Sequence, residues 1–374
     1  MFLNQYTPAE METLQPGSFF LIDIRSENDF EYGHIPDAVN IPEDNLSDGI
    51  AQLPQDKLIL LCCRDGRDST AAAARLREVG VNAAALDTGY YGWMRHQLQQ
   101  GDHAERAEMS IRKKFRKALW TQFAKAVRTY DLVQPGDRIA VCISGGKDSM
   151  LMAKLFQELQ WHRKFPFEVV YLVMDPGYSP VNREILEMNA RALNVPITVF
   201  DSSIFDAVYM VEKNPCYLCA RMRRGYLYSH ARDLGCNKIA LGHHYDDVIE
   251  TILMGMLYGG QVQTMMPKLH STNFPGMELI RPMYLIREDD IKRWRDYNGL
   301  HFLQCACRFT EVSASYDTES NPSKRKEVKD LIRRMHEINP QVEANIFRSV
   351  ENVNLQTIIA YKDDHGRHHF MDDY

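Results

Sequence analysis

The chain has no apolar run near the ~18–20 residues that a membrane-spanning helix needs. Its longest apolar runs, such as Leu58–Cys63, are of strand length. The first residues, MFLNQYTPAE, hold no basic segment followed by an apolar one, so no secretory signal is visible and a cytoplasmic protein is expected. Positive charge is not in excess. Against 44 Lys and Arg stand 50 Asp and Glu, a net charge of −6, which excludes a wholesale basic coat for nucleic acid but not a local patch. Cysteine is scarce, 8 in 374 residues, too few for a disulfide framework. There is no internal repeat and no low-complexity tract.

What is present is ordinary globular material, 45% hydrophobic and 25% charged, in a length suited to two or three domains. Phe19–Ile24 and Lys57–Cys63 read as short buried strands, and Ser69–Gly80 as a helix closed by a glycine. A polar stretch from Gln97 to Glu108 reads as a linker. Ser110–Tyr130 reads as one amphipathic helix, with Leu119, Phe123 and Val127 at four-residue steps. Its bases are Arg112, Lys113, Lys114, Arg116, Lys117, Lys125 and Arg128, and it carries no acid. Such a run is either a solvated face or a contact for a phosphate backbone.

Strand and helix then alternate. The strands are Arg138–Ser144, Glu168–Asp175, Pro196–Asp201 and Lys238–Leu241. The helices are Ser149–Leu159, Val181–Leu193 and Asp246–Tyr258, followed by Lys324–Met335 and Pro340–Asn354. This pattern predicts an α/β chain of two domains, each with a parallel sheet, the second doubly wound. The expected boundaries are 1–100, a linker at 101–109, 110–360, and a loose polar tail at 361–374.

The strongest local signal is Ser144-Gly145-Gly146-Lys147-Asp148-Ser149, where a buried strand runs straight into a helix. Two glycines let the backbone turn its N–H groups toward an anion, and the helix N-terminus adds its dipole. Ser144 and Ser149 can donate hydroxyls, Lys147 can neutralise a phosphate, and Asp148 can cap the helix or hold Mg²⁺. The spacing is not that of a P-loop NTPase. SGGKDS resembles the PP-loop of the ATP pyrophosphatases, also called adenine nucleotide α-hydrolases. That resemblance implies ATP cleaved between its α- and β-phosphates, with AMP placed on an acceptor oxygen.

Six of the eight cysteines sit in pairs: Cys62–Cys63, Cys216–Cys219 and Cys305–Cys307. A CxxC such as Cys216–Cys219 can hold zinc, an iron–sulfur cluster or a redox disulfide. Cys142 and Cys236 stand alone beside apolar strand residues and read as core. Together with the loop, PCYLCARMRRG, LGHHYDDVIETILMGMLYGG, TMMPKL and LIRPMYLIREDDI resemble the tRNA 2-thiocytidine synthetase family. The resemblance implies an enzyme that adenylates a base carbonyl of tRNA, C2 of a cytidine, and replaces the oxygen by sulfur. It implies ATP and Mg²⁺, with Gly242, Asp246 and Asp247 beside the phosphate loop at the nucleotide. It also implies a 4Fe–4S cluster on Cys216, Cys219 and one later cysteine, Cys305 or Cys307. The competing expectations are the same chemistry on another RNA base or a small molecule, and a PP-loop ligase with structural zinc. His243 and His244 either shape their turn or face the ligand, and Arg221, Arg223 and Arg224 either meet tRNA phosphates or form a solvated face.

Residues 5–100 carry Asp23, Arg25, Gly33-His34-Ile35-Pro36, Asn40-Ile41-Pro42, the loop Cys63-Arg64-Asp65-Gly66-Arg67-Asp68-Ser69 and the closing segment Gly89 to Trp93. These resemble a single rhodanese domain. Cys63 ends a strand, and the following loop brings amides and a helix N-terminus toward it, which favours a thiolate or persulfide. Arg64 and Arg67 add positive charge, while Asp68 stands where the family commonly has arginine. Cys63 is therefore expected to carry sulfur, the alternative being a degenerate domain used for docking; Cys62 reads as an inward strand residue. With Lys147 and Asp148, Cys63 completes the expected catalytic set. The partners so implied are tRNA and a sulfur donor such as a cysteine desulfurase, and a homodimer is compatible with this reading.

Overall fold

The computed structural model describes residues 3–49, 53–162, 164–202, 215–303 and 324–372, with the backbone alone at 48–49 and 215–221. Five parallel strands form the first sheet: β1 (Gln5–Tyr6), β2 (Phe19–Asp23), β3 (Val39–Asn40), β4 (Leu58–Cys62) and β5 (Ala83–Leu86), in the order β1–β5–β4–β2–β3. β4 is the run LILLC, buried throughout because both sheet faces are covered. Leu58, Leu60 and Cys62 join one apolar cluster, and Ile59, Leu61 and Cys63 the other. The first of these clusters does not stop at the domain edge. It runs through Tyr90, Trp93, Ala107 and Ile111 into Phe123, Met150 and Leu303, so one continuous core joins the two sheets.

The second sheet has six strands: β6 (Arg138–Ile143), β7 (Glu168–Asp175), β8 (Ile197–Asp201), β9 (Lys238–Ala240), β10 (Lys268–His270) and β11 (Glu278–Ile280), in the order β10–β11–β9–β6–β7–β8. All pairings are parallel except β10 with β11. From β6 the chain winds one way to β7 and β8, then returns to place β9 on the other side. The crevice between β7 and β9, above the end of β6, is the switch point where doubly wound sheets bind ligands. Cys142 and Cys236 are buried in the core, as their neighbours in sequence implied.

Three local readings change. The stretch at 101–109 carries a helix, His103–Arg112, capped by the Asp102 carboxylate on the Glu105 amide and buried at Ala107. The basic segment is not one helix: a π turn, Arg116–Trp120, separates His103–Arg112 from Thr121–Thr129. A four-residue repeat exceeds the 3.6 residues of an α turn, and the wider turn takes up the drift, keeping Phe115, Leu119 and Phe123 buried. Arg112 binds Glu158 at 2.8 Å and Lys114 sits 3.7 Å from the Tyr297 ring centre, while Lys113, Arg116, Lys117, Lys125 and Arg128 are exposed. The tail folds as a hairpin, Ala360–Asp363 against Gly366–His369. Among the described residues no helix is long and apolar enough to cross a membrane.

Glu250 is buried on helix Tyr245–Gly259, beside Arg325 at 3.2 Å. Burial pushes its carboxyl up to about 7, with Asp247 adding to the shift and Arg325 opposing it. The folded chain therefore holds a proton that the unfolded chain has released, and stability falls as pH rises from about 4.5 to 7, by up to ~3 kcal/mol. Thermal melts across that window should show this slope, and Glu250→Gln should flatten it. An unchanged slope in the variant would assign it to another group.

Candidate functional site

The loop Ser144–Ser149 owes its shape to hydrogen bonds within itself. The Ser149 hydroxyl accepts the Ser144 N–H at 3.1 Å and lies 3.0 Å from the Gly146 carbonyl, to which it donates; the two serine hydroxyls are 3.2 Å apart. Gly145 has φ +85°, and Gly146 is the extended N-cap of helix Lys147–Trp161. The loop opens at the switch point into a cavity of about 520 Å³. Its walls include Ile143 and Ser144 from the end of β6, Met174 from β7, Gly242 and His243 after β9, and Arg223 and Arg224 from helix Pro215–Asp233. Gly242 lies so close that a Cβ there would be 3.4 Å from the Ser149 amide nitrogen.

Asp148 Oδ1, His243 Nδ1 and Arg281 Nε, buried polar atoms of residues lining this cavity, have no hydrogen-bond partner among the described residues. Buried polar atoms are normally satisfied, so a wall that collects such atoms is built for a polar ligand. Burial drives the His243 imidazole down to about 4, so the ring is neutral at neutral pH. Burial also lowers the Arg281 guanidinium, to about 10 with Arg224 nearby, which leaves it charged at pH 7.

Other predicted residues face elsewhere. Lys147 is buried with its ammonium 3.1 Å from Asp148 and 3.5 Å from Glu288, and it does not line the cavity. Burial alone would raise the Glu288 carboxyl, but Lys329, Lys147 and Lys292 outweigh it and hold Glu288 down to about 2. Asp246 pairs with Arg287 at 3.0 Å and accepts the Glu288 N–H at 2.6 Å. It lines a second, charged cavity of about 590 Å³ beside Glu250, Glu288 and Lys329. Asp247 accepts the His244 N–H and pairs with Arg325, while His244 is the buried N-cap of its helix. Among the described residues no three His, Cys, Asp or Glu side chains converge as a metal site.

Cys63 is buried at the end of β4, where its sulfur accepts the Gly66 N–H at 3.1 Å and the Ser69 hydroxyl at 3.3 Å. Gly66 has φ +94°, and a Cβ there would strike the Asp87 carbonyl at 1.8 Å, so only glycine lets the loop close over the sulfur. The flanking arginines are spent on acids: Arg64 on Asp29 at 3.2 Å and Arg67 on Asp65 at 2.6 Å. Asp68 is exposed in the first turn of the following helix. Arg25 grips the buried Asp23 and lies over the Tyr90 ring at 4.0 Å. The pocket around Cys63, about 490 Å³, is closed on one side by Ser179 and Val181 of the second domain. Cys62 points into the core, where burial holds its thiol well above the usual range.

Residues 7–96 match the rhodanese-like domain family, and residues 107–307 match the PP-loop domain family, more than half of the chain. Among curated relatives, the tRNA-cytidine(32) 2-sulfurtransferase of Alkalilimnicola ehrlichii is 35% identical over 61% of this chain and 70% of its own length. That of Shewanella sediminis is 33% identical over 64% of this chain and 74% of its own. The chain belongs to the PP-loop family. Among solved structures, the U34-tRNA thiolase NcsA of Methanococcus maripaludis, with its 4Fe–4S cluster, is similar at a TM-score of 0.48 and 22% identity, covering 62% of this chain and 76% of that one.

In this PP-loop protein Cys216 and Cys219 lie three residues apart at the start of helix Pro215–Asp233, the helix that later lends Arg223 and Arg224 to the cavity. Cys305 and Cys307 lie outside the described residues, and of Arg221 only the backbone is described. Arg281 escaped the sequence reading. Its only signal is a lone base inside the apolar stretch ELIRPM, where a buried cation needs a partner. Arg281→Gln should raise the KM for ATP by about ten-fold or more, the usual worth of a charged hydrogen bond. An unchanged KM would show that Arg281 serves only to hold the Met266 carbonyl, to which it also donates.

Proposed function

We propose that this PP-loop protein uses ATP to convert the C2 carbonyl of a tRNA cytidine, at position 32 as in the relatives' name, to a thiocarbonyl. The observation that carries the reading is the SGGKDS loop opening, at the sheet's switch point, into a cavity bordered by the helix that Cys216 and Cys219 begin. ATP would lie with its phosphates on the loop amides and the Ser144 and Ser149 hydroxyls, with Mg²⁺ beside Asp148. The base oxygen attacks the α-phosphorus, the bond to the β-phosphate breaks, and pyrophosphate leaves. Arg281, Arg223 and Arg224 offset the charge that develops. A sulfur nucleophile then adds at C2, and AMP departs with the former carbonyl oxygen.

Sulfur would enter as a persulfide on Cys63, loaded by a desulfurase or another sulfane source. Its release as sulfide takes two electrons, supplied by two external thiols that leave as a disulfide while Cys63 returns to its thiol. The pairs Cys216–Cys219 and Cys305–Cys307 suit a soft metal, and a 4Fe–4S cluster on Cys216, Cys219 and either Cys305 or Cys307 would, when bound, supply an iron with an open position for a sulfur ligand. The exposed bases of 113–128 offer contacts for the tRNA backbone.

The test is anaerobic purification, reconstitution with iron and sulfide, and thiolation of total tRNA with ATP. A brown protein that forms 2-thiocytidine, and loses both colour and activity in Cys216→Ala, is expected. A colourless protein that holds zinc and releases pyrophosphate without thiolating tRNA would replace this reading by a PP-loop ligase.

A further inference from the structure

Tyr32 ends helix Glu27–Tyr32 in the rhodanese-like domain, yet its side chain lies against the phosphate loop of the other domain. Its hydroxyl donates to the Leu303 carbonyl at 3.0 Å. A Cβ on Gly146 would sit 3.4 Å from that hydroxyl and 3.6 Å from the same carbonyl, so the two oxygens together back the loop. The Tyr32 ring centre is 5.7 Å from the Lys147 ammonium, within reach of a cation–π attraction. Arg295 secures the arrangement from below by donating to the Tyr32 carbonyl. Close by, the His301 ring packs edge-on against Trp93 at 4.4 Å, with its Nδ1 3.4 Å from the Tyr90 hydroxyl. Segment 295–303 is thus held by the first domain at Arg295, His301 and Leu303, and Leu303 stands two residues before Cys305 in sequence.

We propose that Tyr32 is a positioning residue of the nucleotide site, through which the rhodanese-like domain sets the phosphate loop. The proposal rests on reading that loop as the ATP site. It gives the fused domain a second task, separate from sulfur transfer: it supplies the back wall of the loop and steadies Lys147. A phosphate loop holds its ligand through backbone amides, and amides bind well only when the backbone is already in place. The Tyr32 hydroxyl bond to Leu303 fixes the wall against which Gly146 of that backbone rests. The ring keeps Lys147 between Asp148 and Glu288 rather than swinging toward solvent.

The experiment uses the full chain and equilibrium binding of ATP, which does not depend on which base is modified. Tyr32→Phe removes only the hydroxyl, and Tyr32→Ala removes the ring as well. ATP affinity should fall about five-fold in the first, the worth of one hydrogen bond, and further in the second. Persulfide loading of Cys63, followed by mass, should match wild type in Tyr32→Phe, because the pocket around Cys63 is lined by other residues, Arg25, Arg64 and Tyr91 among them. An ATP affinity unchanged in both variants overturns the proposal. So does a Tyr32→Phe in which persulfide loading and melting temperature fall together with ATP affinity, since Tyr32 would then merely hold its own domain. A wild type that binds ATP but thiolates no tRNA sinks the proposed reaction and leaves the Tyr32 comparison intact. A wild type that binds no ATP sinks both.

Discussion

Gly145→Ala should abolish ATP use, lowering pyrophosphate release by at least about 100-fold. Two costs add at this position. Its φ of +85° is left-handed, where an L-residue pays about 1–2 kcal/mol. In addition, the new Cβ would stand 2.9 Å from Leu186 Cδ1 and 3.2 Å from its Cγ. Leu186 is fully buried in the cluster that joins both domains, so it cannot swing away cheaply, and overpacking of this kind costs about 1–3 kcal/mol. The loop escapes by changing its own path, which takes its amides off the phosphates. Gly136→Ala separates the two costs. It has nearly the same φ, +84°, but nothing within 4 Å of the added carbon. It should lose about 1 kcal/mol of stability and keep the wild-type KM for ATP. Equal effects from the two variants, measured as pyrophosphate release and thermal melting, would show that strain and not the loop's fit to phosphate governs the loss.

The contrast between these glycines shows where sequence reading succeeds. The phosphate loop was legible because every part of it is local: a buried strand, two glycines, two hydroxyls and a helix start within six residues. The alternation of strands and helices was legible for a similar reason, since strands buried on both faces read as apolar runs such as LILLC. Residues whose partners come from afar could not be read. Asp246 falls at the right end of a strand, yet it turns to Arg287, forty-one positions on, and leaves the cavity to Arg281. Arg64 looks like charge for a persulfide until Asp29 takes it up. Lys147 reads as a phosphate ligand, but Glu288 and Tyr32 lie on its other side. The short strands β10 and β11, three residues each, fall below the length at which alternation is visible.

Cys63→Ala should make thiolation depend on free sulfide. At limiting sulfane donor its rate should drop by about two orders of magnitude or more, because the covalent carrier is gone. Millimolar sulfide should restore it toward wild type. The pocket supports a sulfur carrier at Cys63 even though Arg64 and Arg67 pair with carboxylates. The sulfur already accepts two hydrogen bonds, from the Gly66 amide and the Ser69 hydroxyl, and both donors suit an anion better than a thiol. Ser69→Ala removes one donor and leaves the fold of the loop to Gly66. It should slow persulfide loading about ten-fold or less, with no effect when sulfide is the source. The position of the pocket matters as much as its chemistry. Ser179, the N-cap of helix Pro180–Ala192, and Val181 wall it from the PP-loop side, so a sulfur on Cys63 sits at the junction of the two domains and not on a remote face. If Cys63→Ala thiolates tRNA at the wild-type rate with limiting sulfane donor, Cys63 carries nothing. The first domain would then contribute only what Tyr32 and the shared core provide, the shape of the second.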